Sequence, residues 1–116
     1  MSNLAEQTCV ACRADAVGVA TDEQTELLAE LDGWVIDSED GTDKLVRTYD
    51  FPNFISALSF ANCVGELAEA ENHHPRLVVE WGTVVVCWWT HTIDGLHLND
   101  FIMAARCDGL ERLEKS

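Results

Sequence analysis

The sequence predicts an α+β domain: a four-stranded antiparallel sheet with three helices packed on one face, in the order α-β-β-α-β-β-α. Four short runs rich in Val, Thr and aromatic residues fall into two pairs, each bridged by a glycine-containing turn. Three longer stretches with apolar residues at helical spacing precede, separate and follow those pairs. Paired strands interrupted by helices indicate hairpins rather than parallel crossovers, and an antiparallel sheet can keep its helices to one side.

The 116 residues suffice for one domain, whose core buries roughly two-thirds of the unfolded surface. Residues 1–20 read as an irregular arm and 21–116 as the folded unit. "TDEQTELLAEL" predicts the first helix. Thr21 or Asp22 can cap it, acids fill its first turn, and Leu27, Leu28 and Leu31 give it an apolar edge. Gly33 ends it, being free to take positive φ. "WVIDS" and "KLVRTYDF" form the first hairpin across "EDGTD".

Pro52 and Asn53 open a helix that runs to about Glu71, with Phe54, Ala57, Leu58, Phe60, Ala61, Val64, Leu67 and Ala68 on its inward half. Pro75 stops it, because the residue before a proline is pushed toward extended geometry. "RLVVEW" and "VVVCWWTH" make the second hairpin. Gly82-Thr83 is its expected turn, with Trp81, Val79 and Leu77 facing Val84, Val86 and Trp88 as one apolar surface. "NDFIMAARCDGLERL" closes the chain as a helix carrying Phe101, Ile102, Ala105 and Leu110 inward.

Against 7 basic residues stand 21 acidic ones, a net charge of −14. That field repels phosphate backbones and anionic membranes, so neither nucleic acid nor a membrane is expected as a partner. The first residues lack the basic start and apolar core of a secretory signal, and no apolar run is long enough to span a bilayer. The expected compartment is the cytoplasm. There structural disulfides are the minority expectation, and five cysteines is an odd number. Cys63, Cys87 and Cys107 read as small buried or half-buried hydrophobes. Cys9 and Cys12 form a lone C-x-x-C without the further ligands that a zinc site needs.

Three of the four histidines, His73, His74 and His91, lie at the open end of the second hairpin. Counting outward from a Gly82-Thr83 turn places His74 opposite His91, with Cβ atoms about 5 Å apart. His73 sits at the helix-to-strand corner, so all three imidazoles can surround one pocket. Imidazole titrates near pH ~6.5, so such a group both gives and takes protons at neutrality. Three histidines also match the ligand count of a catalytic zinc, although adjacent histidines on a strand point to opposite sides. The fourth, His97, is accounted for by capping or solvation ahead of the last helix.

These residues resemble the pterin-4a-carbinolamine dehydratase family. Its signature is an acid, two histidines and a proline, an aromatic, a further histidine and an aspartate. Here these are Glu69, His73-His74-Pro75, Trp81, His91 and Asp100, at matching spacing over a resemblance that covers about residues 22–113. "DGW" at 32–34 is similar to the start of the family's first strand. The resemblance implies dehydration of 4a-hydroxytetrahydropterin to quinonoid dihydropterin, recycling the cofactor of an aromatic amino-acid hydroxylase. It implies no metal and no organic cofactor, the pterin being the substrate.

By position, it also implies that His73 and His91 form the acid-base pair and that His74 chiefly holds the pterin. Glu69 and Asp100 would orient histidines or pterin nitrogens, and Trp34 would lie along the pterin ring. A homodimer or homotetramer is the family's usual state. The strand face leading to His91 departs from the family's small hydroxyl residues, reading Val85, Cys87 and Trp89. That face motivates the alternative: a non-catalytic binding, assembly or regulatory protein on the same fold.

Overall fold

The computed structural model describes residues 4–6 and 18–115. Three helices, α1 (Thr21–Leu28), α2 (Phe54–Glu71) and α3 (Leu98–Glu114), accompany four strands, β1 (Val35–Glu39), β2 (Thr42–Asp50), β3 (Arg76–Glu80) and β4 (Thr83–Trp88). All neighbouring strands pair antiparallel, in the order β1-β2-β4-β3. The α+β class and the chain order α-β-β-α-β-β-α are as the sequence predicts.

Alternation along the strands separates two sheet faces. Leu45, Tyr49, Val84, Val86 and Trp88 are buried on one, with Leu77 and Val79 half-buried beside them. Helices α2 and α3 cover this face. Phe60 of α2 seats against Tyr49 and Phe51, with ring centroids 4.7 and 5.2 Å away. From α1, Leu27 and Leu28 pack against the same core. Helix α3 is buried on several sides at once: Phe101 through Ala105 are all buried in succession. Part of that cover is a 3-10 helix at Leu4–Glu6, whose Leu4 is buried and whose Ala5 carbonyl accepts from Arg106 Nε at 3.1 Å. Cys9 and Cys12 lie outside the described residues. Among the described residues no helix covers the other face of the sheet; there Val35 and Val78 are 58% and 42% exposed.

Several local expectations need correction. Helix α1 ends at Leu28 rather than Leu31, and its N-cap position is Ala20, which offers no side-chain bond. Asn53 does cap α2, accepting from the Ser56 amide at 2.8 Å. Phe54 and Leu58 are exposed, so the inward stripe of α2 narrows to Ala57, Phe60, Ala61, Val64 and Ala68, with Leu67 half-buried against the core. What stops α2 is Asn72, left-handed at φ 50°, with the His73 amide turning back to the Ala68 carbonyl at 3.1 Å; Pro75 comes three residues later.

The second hairpin turns on Trp81-Gly82, since Glu80 pairs with Thr83, Val79 with Val84 and Leu77 with Val86. Gly82 has φ +81°, the value a type II turn requires at its second central residue. Trp81 is consequently 74% exposed at the tip instead of facing the core. The register is displaced by two residues, so every other side chain keeps its face. His74 is not across from His91. In the first hairpin the strands approach closer than predicted, leaving only Asp40-Gly41 between them, both at positive φ as in a type I′ turn.

Cys87 and Cys107 are buried and Cys63 half-buried, all three as thiols. Burial pushes the Cys107 thiol up to about 12, so it behaves as the small hydrophobe the sequence predicts. Among the described residues no helix is long and apolar enough to cross a membrane.

Candidate active site

The junctions at the open end of the second hairpin build the site. The left-handed Asn72 turns the chain out of α2 and delivers His73 and His74 ahead of β3. On the other side β4 ends at Trp88. A 3-10 helix at His91–Ile93 follows, closed by the Thr90–Gly95 bridge and by Asp94 in the left-handed region. His73, His74, His91, Asn72, Thr90 and Thr92 together line one cavity of about 150 Å³. The three histidines do gather, through these two junctions and not through direct cross-strand pairing.

Each ring is held differently. His73 is only 5% exposed and lies flat on Trp88, with centroids 5.6 Å apart and planes within 3° of parallel. Its Nε2 donates to Asp100 Oδ1 at 2.6 Å. An ionised carboxylate can only accept, so Asp100 fixes the tautomer with the proton on Nε2. The other Asp100 oxygen accepts from Thr90 Oγ1 at 2.8 Å and from the His97 amide at 2.9 Å. His97 completes a capping box at the start of α3, its Nδ1 accepting from the Asn99 amide at 3.0 Å. His74 is exposed, and its Nε2 pairs with the Glu69 carboxylate from the last turn of α2. His91, also exposed, rests its ring on Trp89, with centroids 4.4 Å apart.

Trp34 belongs elsewhere. It is buried edge-on to Tyr49, and its Nε1 donates to Asp108 at 3.0 Å. Asp108 also accepts from Arg47 at 2.6 Å and from Tyr49 Oη at 2.5 Å. The indole is therefore committed to the core and does not line the histidine cavity. Thr90, Thr92, Asn72 and Trp88 are site residues that the sequence reasoning missed. Adjacency to His73 and His91 was the signal for Asn72, Thr90 and Thr92, but nothing local announces the bond from Thr90 to Asp100. Among the described residues, no group of three His, Cys, Asp or Glu side chains converges in a way that could hold a metal ion.

The profile of the family described as pterin 4 alpha carbinolamine dehydratase matches residues 18–110. The chain belongs to this family. It is 56% identical over 110 residues to a protein of Chlorobium luteolum provisionally named a pterin-4-alpha-carbinolamine dehydratase, covering 95% of this chain and 96% of that one. A protein of the same provisional name from Saccharophagus degradans is 54% identical, with 95% and 97% covered. Among solved structures, a transcriptional coactivator/pterin dehydratase from Brucella melitensis superposes with a TM-score of 0.73 at 29% identity, over 81% of this chain and 98% of that one.

Proposed function

We propose that the chain is a hydro-lyase that dehydrates 4a-hydroxytetrahydropterin to quinonoid dihydropterin by histidine acid-base chemistry. The observation that carries this reading is three imidazoles around one cavity, one of them locked by a buried carboxylate. Family membership supplies the substrate class.

In the reaction the C4a–O bond breaks and the oxygen leaves as water after taking a proton. The N5–H proton is removed, and the N5 electrons form the C4a=N5 double bond. One proton is delivered and one collected, so a pair of imidazoles on either side of the carbinol closes the cycle. His73 and His91 fill these roles. His73 is oriented by Asp100, and the exposed His91 can exchange its proton with solvent between turnovers. His74, tethered by Glu69, holds the pterin beside them. Acid-base assistance of this kind is worth about 10²- to 10⁴-fold in rate.

The product is a quinonoid dihydropterin, so the chain fits beside an aromatic amino-acid hydroxylase whose spent cofactor it returns toward use. A homodimer or homotetramer is the assembly the family favours. Adding purified chain to freshly generated 4a-hydroxytetrahydropterin should accelerate its ultraviolet spectral decay, and the His73→Ala/His91→Ala double variant should not. Equal decay with both proteins would remove the enzymatic reading.

A further inference from the structure

His91 differs from the other two imidazoles in what restrains it. Carboxylates fasten His73 and His74. The ring contact at His91 is the Trp89 indole, its plane 38° from parallel. Both residues lie beyond the end of β4, on either side of Thr90, whose backbone is bridged to Gly95.

Trp89 is clamped on the sheet face that no helix covers among the described residues. The Lys44 ammonium stands 4.2 Å from its ring centroid and the Arg76 guanidinium 5.6 Å. An indole face attracts cations through its quadrupole. These two come from β2 and β3, on either side of β4, and both end on Glu39 Oε1 of β1, at 2.9 and 3.1 Å. Lys44 is buried, so its ammonium has given up most of its water and relies on the carboxylate and the ring. Three strands and the residue just past β4 thus contribute to one small platform, and the platform's free edge is where His91 sits.

We propose that Trp89 is the positioning residue of His91, a rigid backing clamped by Lys44, Arg76 and Glu39 that sets where the imidazole meets the substrate. The inference rests on the dehydratase reading, in which His91 exchanges a proton with the carbinol. Trp89 acts through His91 and not on the reacting atoms. Proton transfer requires heavy atoms within roughly 2.6–3.2 Å. A ring on an exposed turn holds that distance only if something broad and immobile stands behind it.

The test compares wild type with Trp89→Phe, Trp89→Leu and Lys44→Met by turnover and by carbon-proton spectra of the histidine rings, the His91 signals being assigned with His91→Gln. Protons held against an indole face resonate upfield. Trp89→Phe should keep most of that shift and most of kcat. Trp89→Leu should lose the shift and about 10- to 100-fold in kcat, the scale set by a misplacement of about 1 Å. Its KM should stay within about two-fold, since ground-state binding is untouched. Lys44→Met should fall between on both readouts and serves if Trp89→Leu folds poorly.

Loss of the shift with kcat intact would overturn the proposal, as would a rise in KM alone, which would make Trp89 a substrate contact. Wild type that fails to accelerate dehydration would defeat the dehydratase reading instead. The His91 shift needs no turnover, and its absence in wild type would overturn the proposed contact by itself.

Discussion

Asp100 serves helix and site with the same carboxylate. One oxygen holds His73, and the other takes the Thr90 hydroxyl and the His97 amide at the start of α3. Asp100→Asn keeps an acceptor for the cap but can present an amide to His73, which disturbs the tautomer. The expected outcome is a loss of about 10²- to 10⁴-fold in kcat and of only about 1 kcal/mol in stability, read from steady-state rates and urea melts. Asp108 is the opposite case, a carboxylate that serves only the core. Burial pushes it above the usual carboxylate range, while the Tyr49, Trp34 and Arg47 donors pull the other way. Asp108→Asn would keep a carbonyl oxygen for those donors, set an amide nitrogen where Oδ2 faces Trp34 Nε1, and remove the charge that pairs with Arg47, leaving that guanidinium with Glu111 at 3.6 Å. It should cost about 1–3 kcal/mol, the range for weakening a hydrogen-bonded charge that is partly buried, measured by denaturant unfolding.

At the scale of the elements, the strand turns join the site to the sheet, and Glu39 at the end of β1 reports on them. Lys44 and Arg76 hold its carboxyl down to about 2 from an ordinary 4.5. A depressed folded value means that Glu39 stabilises the fold above about pH 4.5, and that this contribution is lost as the pH falls through about 2. Urea midpoints of wild type and Glu39→Gln should therefore differ at neutral pH and converge toward pH 2. Because the carboxylate is well exposed, the difference should be small and should shrink in salt.

The order of elements was legible because each hairpin carries its own turn chemistry and each helix its own apolar period. What could not be read was which two residues turn the second hairpin. Glycine suits the first central position of one turn type and the second of another. That ambiguity is why Trp81 sits at the tip and His74 is not across from His91. The histidines and their carboxylates were legible from spacing and resemblance. Trp34 was misplaced because its partner, Asp108, lies 74 residues away and only packing brings them together. The Trp89 clamp was hidden likewise, since it draws on three strands.

Taken whole, the molecule carries a charge of −14 on 116 residues and must hold together against its own repulsion. Raising salt from about 10 mM to 150 mM shortens the screening distance from about 30 Å to about 8 Å. The melting temperature should rise over that range; a fall would mean that ion pairs such as Arg47–Asp108 outweigh the repulsion. The hollow at the histidines, at about 150 Å³, is half the lower end of the roughly 300–1,000 Å³ that ligand-engulfing pockets occupy. On the proposed function, a pterin seated there would be gripped along its reacting edge while the far rim, with whatever tail it bears, stayed wet. Pterins with long, short or absent tails should then turn over at comparable rates, and a steep dependence on the tail would mean that a second chain closes over the opening.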